Sequence, residues 1–66
     1  MNQRVFETAK ELADKHRMIK IKLAELSYIN PDKALEFMRE FGEHRKPLTT
    51  LLDDIMEAFE EEKEAG

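Results

Sequence analysis

Val5, Ala9, Leu12, His16, Ile19, Leu23 and Leu26 follow one another at spacings of 4-3-4-3-4-3. An α-helix of about four heptads carries such positions on one side, so the pattern predicts a first helix over about 3–29. Asn30-Pro31-Asp32 interrupts it. Proline pushes the preceding residue towards extended backbone and itself fits the first turn of a helix, so Asn30 is expected to turn and cap the chain and Pro31 to open a second helix. A second seam follows at Ala34, Met38, Phe41, Arg45, Leu48, Leu52, Ile55 and Phe59.

If the chain reverses at residues 30 and 31, Leu26 meets Ala34, Leu23 meets Met38, Ile19 meets Phe41, Leu12 meets Leu48, Ala9 meets Leu52 and Val5 meets Ile55. Large residues then face small ones at both ends, as an antiparallel hairpin requires. One polar layer remains, His16 opposite Arg45. Gly42 and Pro47 break the second arm, because glycine commonly ends a helix and proline is costly inside one. The expectation is therefore a second helix over about 31–41 and a third over about 47–63, with an acidic tail over 60–66. The heptad phase is unbroken across 42–47, which predicts that the two pieces stay roughly collinear; a single kinked helix is the competing description. Met18 to Leu23 also alternates like a strand, but a lone strand has nothing to pair with.

The first helix carries more apolar residues than its seam uses. Met18, Ile21 and Tyr28 lie away from Ile19, Leu23 and Leu26, with Ala24 and Ile29 between. A helix apolar nearly all round is normally buried on more than one side. Sixty-six residues form one domain, 1–66, with no cysteine to staple it, and small cysteine-free domains lean on regular helix packing or on oligomerisation. The predicted fold class is all-α, an antiparallel helical hairpin with a broken second arm, assembling as a homodimer into a helical bundle.

Charge is unevenly divided. Residues 1–30 carry +2 and residues 31–66 carry −6, for a net −4, too acidic for the whole surface to be a nucleic-acid footprint. Around His16, folding would gather Lys15, Arg17, Lys20, Lys22, Arg45 and Lys46 into a mid-hairpin belt able to meet phosphates. Lysines at helical spacing are more commonly a solvated face paired with Glu11, Asp14, Glu25, Glu36 and Glu40. The segment Phe41–Leu52 resembles the turn and second-helix start of a helix-turn-helix, although Glu43 stands where that turn buries an apolar residue, and Asp53, Asp54 and Glu57 would repel DNA.

Catalytic chemistry finds no purchase. Ser27 is the only serine, and the two histidines are far apart in sequence, so no nucleophile has a base and an orienting group close in the pattern. Two glycines cannot make a phosphate loop. Glu40, Glu43 and His44 could share a helical face only if the helix continued past Gly42, and the spacing of di-metal bundle sites is missing. No cofactor is expected. The start of the chain has no signal-length apolar run and no stretch could span a membrane, so a cytoplasmic location without membrane association is expected.

The functional expectation is a small non-enzymatic regulatory or adaptor protein that self-associates and binds a protein partner. Met18, Ile21, Tyr28, Phe37 and Met56 are its candidate contact residues, the methionines suiting an adaptable surface. The alternatives are a nucleic-acid-binding regulator using the basic belt and a purely structural oligomer.

Overall fold

The structure is a computed structural model and describes residues 2–65. The described residues form three α-helices: α1 (Gln3–Ile29), α2 (Pro31–Gly42) and α3 (Leu48–Ala65). There is no strand among the described residues, and Met18 to Leu23 is helical. Among the described residues no helix is long and apolar enough to cross a membrane.

The first two helices start where an asparagine side chain satisfies the first turn. Asn2 caps α1, its Oδ1 accepting from the Arg4 amide at 2.9 Å. Asn30 serves two helices in one residue. Its amide donates to the Leu26 carbonyl at 2.8 Å, closing α1, and its Oδ1 accepts from the Lys33 amide at 3.1 Å, opening α2 with Pro31 in the first turn. Without such partners these groups would be the orphan donors and acceptors of two helix ends.

The second turn reverses the chain again. After Gly42 the Glu43 amide donates to the Arg39 carbonyl, the His44 amide to Phe41 and the Arg45 amide to Glu40, while His44 adopts the left-handed region at φ 54°. A residue in that region ends a helix and redirects the chain. The residue doing so is a histidine, two positions after the glycine expected to end the helix. Gly42 lies inside α2 with a negative φ, and a Cβ built on it meets nothing within 4 Å. His44→Gly should therefore stabilise by about 1 kcal/mol by removing the left-handed penalty, and Gly42→Ala by roughly 0.5–1 kcal/mol through helix propensity. Both should raise the urea midpoint at unchanged slope; a lower midpoint for either would contradict this turn geometry.

The later helices are consequently not collinear, which corrects the expectation drawn from their shared heptad phase. Lys15 Nζ donates to Thr49 Oγ1 at 3.0 Å, near the start of α3, and Asn30 Nδ2 donates to Glu62 Oε1 at 2.7 Å, near its end. Contacts of that order mean that α3 runs parallel to α1, with α2 antiparallel to both: an up-down-up three-helix bundle. Seven-residue periodicity constrains which side of a helix is apolar but says nothing of direction across a loop, and the left-handed residue decides the direction.

The core is Ile19, Leu23 and Leu26 from α1, Ala34 and Phe37 from α2, and Leu51, Ile55 and Ala58 from α3, with Phe41, Leu48, Leu52 and Phe59 half-buried against it. Four expected seam positions give way to neighbours, since Phe37 replaces Met38 and Leu51 and Ala58 sit deeper than Leu48, Leu52 and Phe59. A helix touching two others needs a wider apolar face than the narrow seam of a two-helix coil. The three-helix packing uses only the second half of α1. Val5 and Leu12 on the same seam are 63% and 51% exposed, so the buried core does not reach them. The molecule is accordingly long, 48 × 23 × 16 Å, with α1 extending beyond the bundle.

Candidate interaction surfaces

Four of the five candidate contact residues lie on the surface. Met18, Ile21 and Met56 are exposed, and Tyr28 is 91% exposed. Phe37 does not join them: at 5% exposure it fills the core, its ring covered by the Lys33 ammonium 5.6 Å from the centroid. Folding α3 back along α2 buries that ring, which a collinear second arm would have left outside.

Helical spacing sorts the exposed residues. Lys15, Met18, Lys22, Glu25 and Ile29 form a 3-4-3-4 row along α1, and Thr49, Leu52, Met56 and Phe59 form a 3-4-3 row along α3. The two rows border one seam, because Lys15 bonds Thr49 and the Lys22 ammonium lies 5.5 Å from the Phe59 ring centre. Met18, Ile29 and Met56 thus flank the α1–α3 groove, while Ile21 and Tyr28 stand further round α1. On α2, Leu35 and Met38 are also exposed. The sequence pattern missed them as surface residues, because it placed Met38 on the seam and gave Leu35 no role.

A second apolar feature lies at the free half of α1. An exposed strip there runs along Arg4, Val5, Thr8, Ala9 and Leu12. It continues the seam of Ile19, Leu23 and Leu26 past the point where α2 ends and α3 begins.

The expected polar layer does not form. His16 is exposed and tilts against the Phe41 ring, centroids 4.7 Å apart, while Arg45 turns into the loop and pairs with Glu43. Lys15 and Lys22 face α3, whereas Arg17 and Lys20 lie on the other side of α1 by helical position. Four of the six belt residues have a carboxylate within 4 Å: Arg17 with Asp14, Lys22 with Glu25, Arg45 with Glu43, and Lys46 with Asp54 and Glu40. The basic groups are divided and largely paired.

The strongest ion pairing spans α2 and α3. Lys46 Nζ is 2.7 Å from Asp54 Oδ2 and 3.4 Å from Glu40 Oε2, beside a polar groove of about 280 Å³ also lined by Glu36, Glu57 and Glu61. Glu40 Oε2 is buried, with the Lys46 ammonium as its ion-pair partner. The hydrogen bond to Asp54, followed by the charges of Asp54 and Glu40, raises the Lys46 pKa above its ordinary 10.5 despite partial desolvation. Because the folded value is the higher one, the pair contributes fully below 10.5 and is lost only as pH rises through the raised value. Among the described residues, no three His, Cys, Asp or Glu side chains are placed to hold a metal ion. Glu40 turns to Lys46 while His44 leaves the helix, so the helical face they were considered to share is not formed.

Comparison with protein-family models, curated proteins and solved structures gives no match.

Proposed function

We propose that the chain is a small non-enzymatic regulatory or adaptor protein, working in the cytoplasm as a homodimer and binding a protein partner through the apolar residues that its own bundle leaves uncovered. One observation carries this reading: among the described residues ten large apolar side chains are exposed, against eight residues in the buried core. Scattered exposed apolar residues are ordinary, but Met18 and Ile29 on α1 and Met56 on α3 border one seam at helical spacing, and apolar positions so placed resemble the surfaces on which amphipathic helices dock. Met18 and Met56 at the groove edges supply side chains that repack around different partners at little cost. The divided, paired basic residues weigh against phosphate recognition.

A photoreactive side chain placed at Tyr28 or Met56, in cells that naturally make the protein, tests the proposal. The expected result is a discrete adduct with a second protein, reduced at least about tenfold by Ile21→Glu, which buries a charge wherever a partner covers that position. Adducts of the protein with itself alone would reject the adaptor reading and favour a purely structural oligomer.

A further inference from the structure

Each pair of helices leaves a groove, and the three grooves differ in charge. The one between α2 and α3 is lined by the carboxylates of Glu36, Glu40, Asp54, Glu57 and Glu61, with Lys33 and Lys46 already paired to them. Between α1 and α3, Glu25 pairs with Lys22 and Thr49 accepts from Lys15. The third groove has cations without partners. His16 meets Phe41 towards one end of it and the chain turns at Asn30 at the other, so the antiparallel α1 and α2 bring Lys20 level with Met38 and Arg39, and Ala24 level with Leu35. By helical position Lys20, Ala24 and Ser27 form the α1 edge and Leu35, Met38 and Arg39 the α2 edge. All but the half-buried Ser27 are exposed. Among the described residues neither Lys20 nor Arg39 has a carboxylate within 4 Å, and the Ser27 hydroxyl donates to the Ala24 carbonyl of its own helix at 2.6 Å.

We infer that the α1–α2 groove takes an acidic amphipathic helix of a partner protein, its apolar side on Leu35, Met38 and Ala24 and its carboxylates on Lys20 and Arg39. The inference rests on the protein-binding reading above and gives it a groove and a partner chemistry. Charge complementarity carries it. An apolar groove with an unpaired cation on each wall repels a basic helix and pairs with an acidic one. Two cations are too few to follow a phosphate backbone, whose binding grows with the number of charges met.

The shape of the groove agrees with a helical occupant. Leu35 and Met38 stand one turn apart on one wall, and on the other Ala24 is small enough for a helix to approach closely, as ridge-into-groove packing requires. With 12 residues in α2, the groove runs about 18 Å and holds a helix of about three turns. A second copy of the chain does not meet these demands. The acidic row of its α3, Asp53, Glu57, Glu60 and Glu64, has no apolar member, so it would satisfy the cations and leave Leu35 and Met38 uncovered.

Two fluorescein-labelled helical peptides of about 14 residues, with leucines at i, i+3, i+4 and i+7 and either glutamates or lysines elsewhere, test this against the full chain. Anisotropy measures affinity and amide chemical shifts locate the site. At about 50 mM salt the glutamate peptide should bind at least about tenfold more tightly than the lysine peptide, shifting Ala24, Ser27, Leu35 and Met38. Lys20→Glu combined with Arg39→Glu, both at exposed positions, should keep the helicity by circular dichroism and reverse the preference. Equal binding of the two peptides, shifts confined to Met18 and Met56, or no binding of either at about 1 mM overturns the inference. So does tighter binding, on the same residues, of an oligothymidylate of about 12 nucleotides, which carries charge without an apolar side. In cells, the adduct formed through Tyr28 should fall at least about tenfold in the double charge reversal. An adduct that persists there overturns this groove and leaves the adaptor reading standing, whereas no adduct between the wild-type chain and a second protein overturns both.

Discussion

Ile55→Ala is expected to leave the chain largely unfolded at 25 °C, whereas Leu12→Ala, on the heptad seam of α1, should change intrachain stability by less than about 0.5 kcal/mol. Ile55 is fully buried among residues of all three helices. Truncating such a side chain costs about 2–5 kcal/mol, the lost transfer energy plus the cavity that remains. A domain of this length is stable by roughly 3–10 kcal/mol in total, and a single small core tends to the lower end. Leu12 is half exposed and belongs to no core cluster, so within one chain its removal forfeits little burial. Urea unfolding followed by circular dichroism at several chain concentrations separates the intrachain term from any association term. Equal destabilisation by the two substitutions at low concentration would show that the free half of α1 packs within its own chain.

The second large effect is expected at Asn30, where a single side chain ties α2 to α3. Its Oδ1 caps α2 through the Lys33 amide, and its Nδ2 reaches Glu62 near the end of α3 at 2.7 Å. Loss of an N-cap costs about 1 kcal/mol, and a hydrogen bond to a carboxylate adds roughly 1.5 kcal/mol where it is partly buried. Asn30→Ala should therefore destabilise by about 2 kcal/mol. Asn30→Asp should keep the cap while placing a second carboxylate beside Glu62, and so fall between Asn30→Ala and wild type. The order of the three urea midpoints checks both roles. If Asn30→Asp matched wild type, the bond to α3 would contribute nothing.

The elements of this protein were legible because their signals are local. Asn30 before Pro31 stops one helix and starts another by restricting the backbone of two adjacent residues, and the observed helices begin and end within two residues of the expected positions. The 4-3 spacing also marked Ile19, Leu23, Leu26, Ala34 and Ile55, which are buried. The direction of α3 was not legible. Gly42 is the residue type that ordinarily reverses a chain, yet His44 takes the left-handed position. Without that reversal Phe37 reads as a surface residue and Met38 as core. The basic belt failed for the same reason: it assumed that Arg45 would be carried along a continuous second arm to His16, whereas Phe41 meets His16 and Arg45 pairs within the loop. The exposure of Ile21 and Tyr28, by contrast, followed from helical phase alone, since one helix cannot turn opposite sides to the same neighbours.

By itself, then, the sequence determined that the chain is helical, where it turns, and which side of each helix is apolar. These follow from backbone sterics and periodicity within a few residues. Only the tertiary structure decided that α2 and α3 both pack on the second half of α1 and leave the first half bare. Apolar burial is non-directional, so an apolar seam can be covered by any apolar face of suitable shape, and the choice among faces belongs to the turn that brings α3 back and to the contacts that hold it there.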